Sequence, residues 1–199
     1  MTEPAGPRAS RPRIVPVDPP EVKIEGAQGI PLTIHQDQRG FLFETFRSDD
    51  PRWKELPFRM SYSSFTAPNQ FRDVDRWHVH QVQVDRFVVV LGAMTLVLYD
   101  PRKDSPTAGT LQAVRLAGIP LGSPTYGGTR TLTTYLQPIP PGVLHALGNL
   151  SDEPFVYQNF PSELYNPADE GRVPFADLAI PAIGGPFSWP RVRRLTPHL

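Results

Sequence analysis

The chain contains no cysteine, which excludes a disulfide framework, a thiolate nucleophile and a thiolate metal site. Any metal here is held by nitrogen and oxygen alone. Lysine is scarce as well: Lys23, Lys54 and Lys103 are the only ones among 20 basic residues. The arginine that makes up the rest suits bidentate recognition of carboxylate or phosphate, and a bias in codon use would give the same count. An excess charge of either sign is missing, because 20 acidic residues balance the 20 basic ones. Nucleic acid, whose binding needs clustered cations, is therefore not an expected partner. Long apolar runs are missing too. The longest, Phe87 to Leu91, is far too short to span a bilayer, and the first twenty residues hold no apolar signal core. The expectation is a cytoplasmic protein without membrane contact.

Proline, by contrast, is abundant. There are 25 in 199 residues, against a usual share of about 5%. A helical bundle is excluded, since each proline in a helix interior costs about 3 kcal/mol. Six prolines fall within residues 1–20, which are expected to form an extended or disordered arm. Residues 21–199 are expected to form a single domain, as the length suggests. Val22-Lys23-Ile24 alternates like a strand, and β-rich runs follow at Phe41 to Phe46, Val79 to Val90, Met94 to Tyr99, Thr131 to Leu136 and Phe155 to Tyr157. Turn signals separate them, including Leu91-Gly92 and Pro140-Pro141-Gly142. Only Asp49 to Leu56 reads as a short helix, entered by Ser48 or Asp49 with Pro51 in its first turn. The pattern predicts an all-β, antiparallel sandwich or barrel.

Two histidine clusters carry the chemistry. Trp77-His78-Val79-His80 places two imidazoles on one face of a strand, because side chains alternate with period 2. Asp85 and Gly92 follow, and far downstream comes Pro140-Pro141-Gly142-Val143-Leu144-His145, with Asn149 after it. These spacings resemble the two signature motifs of the cupin superfamily, with Asp85 in place of the usual Glu and Arg72 where the leading glycine stands. The resemblance implies a cupin-type jelly-roll barrel with the site on its inner face and short peripheral helices outside. Three imidazoles and a carboxylate can hold a divalent Zn, Fe, Mn or Ni ion. Without metal, a histidine near neutrality serves as a general base.

A closer likeness lies outside the clusters. Asp37-Gln38-Arg39-Gly40-Phe41-Leu42-Phe43-Glu44-Thr45-Phe46, then Tyr99 to Gly109, then Ile139 through His145 to Ser151-Asp152, Tyr157, Tyr165, Pro167 and Glu170-Gly171 resemble, in order, the blocks of the dTDP-4-dehydrorhamnose 3,5-epimerase family. That resemblance implies an isomerase of nucleotide-sugar biosynthesis, working as a homodimer without a cofactor. In it a histidine removes the proton alpha to the ketone of a nucleotide-linked 4-keto-6-deoxy sugar, and a tyrosine reprotonates the other face. The base falls on His78 or His80 and the acid on Tyr157. Arg39 matches an arginine that contacts the diphosphate, with Glu44, Arg76, His145 and Tyr165 as further substrate contacts.

The chain also departs from the family. Asp85 stands where the resemblance implies a lysine that neutralises the diphosphate, and Met60 and Tyr62 replace a Gln and an Asn. The loop after His80 is short. Residues 181–199 hold no counterpart of the C-terminal aspartate that orients the catalytic histidine. Two alternatives to the epimerase therefore stay open: a metal-binding cupin enzyme using His78, His80, His145 and Asp85 or Gln83, and a non-catalytic sugar-binding cupin.

Overall fold

The computed structural model describes residues 13–37, 39–118 and 133–194. Twelve strands run in chain order: β1 (Ile30–Leu32), β2 (Ile34–Asp37), β3 (Gly40–Phe43), β4 (Tyr62–Thr66), β5 (Arg76–His80), β6 (Asp85–Leu91), β7 (Ala93–Tyr99), β8 (Leu111–Ala117), β9 (Thr134–Ile139), β10 (Leu144–Gly148), β11 (Phe155–Asn159) and β12 (Glu170–Pro174). Two five-stranded sheets, β1-β9-β6-β11-β4 and β12-β5-β10-β7-β8, are antiparallel throughout, and β2 pairs only with β3. The expected all-β jelly roll is what the chain forms.

Strict alternation sorts the side chains into layers. Phe87 and Val89 of β6, Leu96 and Leu98 of β7, Val114 and Leu116 of β8, and Phe155 and Tyr157 of β11 meet between the sheets. Their neighbours one residue away point outward into two further cores. Trp77, Val79, Val97 and Ala146 are covered by the C-terminal segment carrying Phe175, Phe187 and Trp189. Val88 and Leu136 are covered by Phe43, Phe46 and Trp53. Arg86 lies wholly buried on this second outer face. Its guanidinium rests on the Phe46 and Trp53 rings at 4.7 and 5.1 Å.

Several local expectations need correction. Val22 and Ile24 are buried as alternation requires, but the segment forms no ladder; Lys23 N–H instead donates to the Gln112 side chain. The helix expected over Asp49 to Leu56 is a single 3-10 turn, Pro51–Trp53, capped by Asp50, which accepts from Arg52 N–H. Burial of Trp53 against Phe160 and Phe46 outweighs helix continuation. The run Val79 to Val90 is two strands, β5 and β6, broken by residues 81–84. Of Thr131 to Leu136, residues 131 and 132 lie outside the described part. So do residues 1–12 of the arm. Its described part runs along its own barrel, with Ile14 bridged to Val192 and Val17 to Val114.

Two motif positions prove structural. Asp100 is fully buried and accepts from Ser105 and Thr107 hydroxyls, both at 2.7 Å, and from Arg102. Burial opposes its charge, but these donors hold its carboxyl far below the ordinary range. Gly92 turns the chain from β6 of one sheet to β7 of the other with φ of 72°, and a Cβ there would lie 2.2 Å from the Pro154 carbonyl oxygen. Gly92→Ala is therefore expected to cost about 3 kcal/mol from the left-handed backbone and the clash together. Denaturant unfolding measures this, and a loss below 1 kcal/mol would contradict it.

Candidate active site

The barrel interior is apolar at one end and polar at the other. Along β6 the inward residues run Val89, Phe87, Asp85; along β11 they run Phe155, Tyr157, Asn159; along β10, Leu147 gives way to His145. Strands β5 and β4 contribute His78, His80, Tyr62 and Ser64 on the same inward phase. Register places His145 beside His78, and Glu170 and Arg172 of β12 beside His80 and His78. The three imidazoles thus gather as the sequence implied, with ring centroids 4.6 Å (His78–His80), 5.0 Å (His78–His145) and 6.4 Å (His80–His145) apart. The edge strands β4 and β12 flank the mouth, where Tyr62 is 41% exposed and the His78 side chain 21%.

Asp85 is the hub. Its Oδ1 accepts from Gln83 Nε2 at 2.8 Å and from Asn159 Nδ2 at 2.7 Å, while Oδ2 lies 3.6 Å from Nε2 of both His80 and His145. Gln83 spends one N–H on Asp85 and turns the other to His80 Nε2 at 3.1 Å. That nitrogen is therefore the acceptor, and the proton of neutral His80 sits on Nδ1. Nδ1 faces Asp169 Oδ2 at 3.2 Å, with its N–H not aligned as a hydrogen bond.

Asp169 precedes β12 and is largely buried. It also accepts the backbone N–H groups of Gln81, Val82 and Gln83 at 2.8, 2.8 and 3.1 Å. Burial works against its charge, but the three N–H groups and His80 bring its carboxyl below the ordinary range. The carboxylate beside His80 thus comes from a part of the chain other than 181–199. Nothing in the isolated Pro-Ala-Asp-Glu segment signals it; the 86–88 residue separation from its partners hid it.

The remaining imidazoles differ from His80. Burial, then the neighbouring charges of His145, Arg172 and His80, push His78 down to about 2, so it is neutral at any working pH. Its Nε2 lies 3.7 Å from Glu170 Oε1 and has no hydrogen bond. His145 is also driven down by burial, and its Nδ1 donates to the Val143 carbonyl at 3.2 Å, since a carbonyl can only accept. Among the described residues, no three His, Asp or Glu side chains converge as a metal-ligand set.

Across the interior, Tyr157 is 6% exposed and packs on Phe87 with centroids 5.0 Å apart. Burial raises its hydroxyl above the ordinary range. The other residues implied by resemblance do not join the cluster. Arg39 sits at the β2–β3 turn, its side chain 90% exposed and, among the described residues, bound only to Asp37. Glu44 pairs with Arg47, not Arg39, and Arg76 pairs with Asp75 at the solvent end of β5. Tyr165, 69% exposed, lines an outer groove of about 460 Å³ with Arg59, Val82 and Asp169.

A family model described as dTDP-4-dehydrorhamnose 3,5-epimerase matches residues 21–184. The protein named "Probable low-salt glycan biosynthesis epimerase Agl13" from Haloferax volcanii is 37% identical over 147 residues, 72% of this chain and 83% of that protein. The crystal structure of a dTDP sugar isomerase from Desulfovibrio desulfuricans superposes with a TM-score of 0.64 at 28% identity, covering 84% of this chain and 92% of that one. A Legionella pneumophila dTDP-6-deoxy-D-glucose-3,5-epimerase, solved in complex with dTDP-4-keto-L-rhamnose, gives 0.58 at 25% identity, covering 75% and 73%.

Proposed function

Because the chain belongs to the dTDP-4-dehydrorhamnose 3,5-epimerase family, we propose that it epimerises a nucleotide-linked 4-keto-6-deoxy sugar by proton transfer at carbon next to the ketone. The observation that carries this reading is the placement of imidazoles on one sheet and tyrosines on the facing sheet. A sugar ring between them meets a base on one face and an acid on the other, as inversion requires. The relatives' names and the dTDP-sugar bound to the Legionella enzyme support the substrate class.

His80 is the base in this reading. His78, held neutral down to about pH 2, is too weak a base to compete, and His145 is fully enclosed with its Nδ1 given to a carbonyl. A bound substrate displaces the Gln83 N–H from His80 Nε2, and Asp169 keeps the ring's proton on Nδ1. The proton transfers balance on side chains alone, without a cofactor. The test is transfer of deuterium from heavy water into C3 or C5 of a dTDP-4-keto-6-deoxyhexose. No exchange by the wild-type protein across such a panel would refute the reading.

The diphosphate needs a cation, and the cluster offers none that is free: Arg172 is engaged by Glu170 and Asp73, and Asp85 replaces the lysine. Arg39, exposed on its own two-stranded hairpin, supplies that cation to the site of a second subunit in a cytoplasmic homodimer. Co-expressed His80→Ala and Arg39→Ala chains are then expected to recover about a quarter of wild-type activity, because half of random dimers hold one intact site of two. No recovery would place Arg39 in its own subunit's site, and full activity of Arg39→Ala alone would place it outside the reaction.

A further inference from the structure

We infer that Tyr62, rather than Tyr157, delivers the proton to the face of the sugar opposite His80; the assignment rests on the reaction proposed above. Tyr62 belongs to edge strand β4, directs its ring into the interior and stays 41% exposed at the mouth. Tyr157 lies behind it, 6% exposed and packed against Phe87 and Phe155. The two rings meet edge to face with centroids 6.4 Å apart, as diagonal neighbours on the paired strands β4 and β11. The Tyr157 hydroxyl lies beside those of Tyr62 and Ser64.

The hydrogen bonds narrow where the Tyr62 proton can go. Asn159 Oδ1 accepts the backbone N–H of Arg86 at 2.9 Å, which fixes the orientation of its amide. Its Nδ2 then donates to Asp85 Oδ1 at 2.7 Å and to the Tyr62 oxygen at 3.0 Å. Tyr62 cannot give its proton to that N–H, which leaves it for the Tyr157 oxygen or for a group at the open mouth, where a bound sugar competes for it. Burial raises the hydroxyls of both tyrosines, so both carry their protons before the reaction. After donation the Tyr62 oxygen still holds the Asn159 N–H and faces the Tyr157 hydroxyl, two donors preorganised for the phenolate.

The proton count closes. His80 Nε2 takes the C–H proton, and the electron pair of that bond moves onto the ketone oxygen as an enolate. The enolate carbon then takes the Tyr62 proton on its other face, a new C–H bond forms and the carbonyl returns. Water at the mouth reprotonates the Tyr62 phenolate, and the His80 imidazolium releases its proton to water.

Tyr62→Phe and Tyr157→Phe separate the roles. In Tyr62→Phe, His80 still removes and returns the proton on its own face, so solvent deuterium enters the sugar with configuration retained. Inversion is expected to fall by about 100-fold or more, with thermal midpoint unchanged. Tyr157→Phe, losing only a support of the phenolate, is expected to lose about threefold to tenfold. The assignment is overturned if Tyr157→Phe abolishes inversion while Tyr62→Phe keeps a third or more of it. Loss of exchange together with inversion in Tyr62→Phe also overturns it, since that marks a binding or structural group. Failure of the wild-type protein to exchange any such sugar removes the reaction itself, and is seen before either variant is made.

Discussion

His80→Ala is expected to slow solvent-deuterium exchange by about 1,000-fold or more, within the range that a positioned general base contributes. No neighbour can take over the role. His78 stacks within 5.0 Å of His145 and is held neutral, so its lone pair is a poor acceptor for a carbon-bound proton. His145 faces the site across Asp85 but is enclosed, with burial driving it toward the neutral form. Folding should be little affected, because Asp169 keeps its three backbone N–H groups and Asp85 keeps Gln83 and Asn159. Nuclear magnetic resonance of the sugar in heavy water, together with binding of dTDP to confirm an intact pocket, measures the effect. Retention of a tenth of the exchange rate would move the base away from His80.

Asp169→Ala is expected to damage both the reaction and the fold. The carboxylate organises the short turn after β5 and faces His80 Nδ1, so its removal frees the tautomer and the ring together. Exchange should fall about 100-fold, as when a histidine base loses its orienting carboxylate. Stability should fall by about 2 kcal/mol, because the buried Gln83 N–H loses a charged acceptor while those of Gln81 and Val82 turn to water. Asp169→Asn should not rescue either effect. With its carbonyl oxygen on the Gln81 and Val82 N–H groups, its amide meets the N–H of Gln83 and of His80 donor to donor, so both exchange and stability stay low. The pH dependence follows from the lowered carboxyl. A group depressed in the folded state stabilises the protein above its ordinary value and loses that contribution as pH falls through its folded value. Wild-type stability should therefore drop on acidification below about pH 4, and the Asp169→Ala protein should show a shallower drop. Equal slopes would show that Asp169 does not carry the effect.

The histidine cluster was legible because its geometry is local. His-x-His needs only the period of a strand to put both rings inward, and the turn at Gly142 needs only its glycine, at φ of 79°. The apolar strands β6, β7 and β11 were legible from their β-branched and aromatic density between turn signals. Strand β12, Glu-Gly-Arg-Val-Pro, has neither alternation nor β-branched density; it is a strand because β5 offers it a ladder. Val22 to Ile24 errs the other way, since alternating burial does not require a ladder. Arg39 and Glu44 were read as site residues from a motif that resemblance supplied, yet within one chain the hairpin carries them away from the histidines.

Absent cysteine, few lysines and balanced charge determined what the protein cannot use: thiolates, ammonium clusters and a field of one sign. Proline density and period-2 alternation determined an antiparallel all-β fold, and the ordered motif blocks determined the family. Each follows from composition or from neighbours a few residues apart. Only the tertiary structure decided how the site is wired. Asp169 stands 89 residues from His80, Asn159 stands 97 from Tyr62, and Asp85 stands 74 from Asn159. Such contacts depend on which strands are adjacent and in what register. Local sequence encodes which way a side chain faces, but not what faces it.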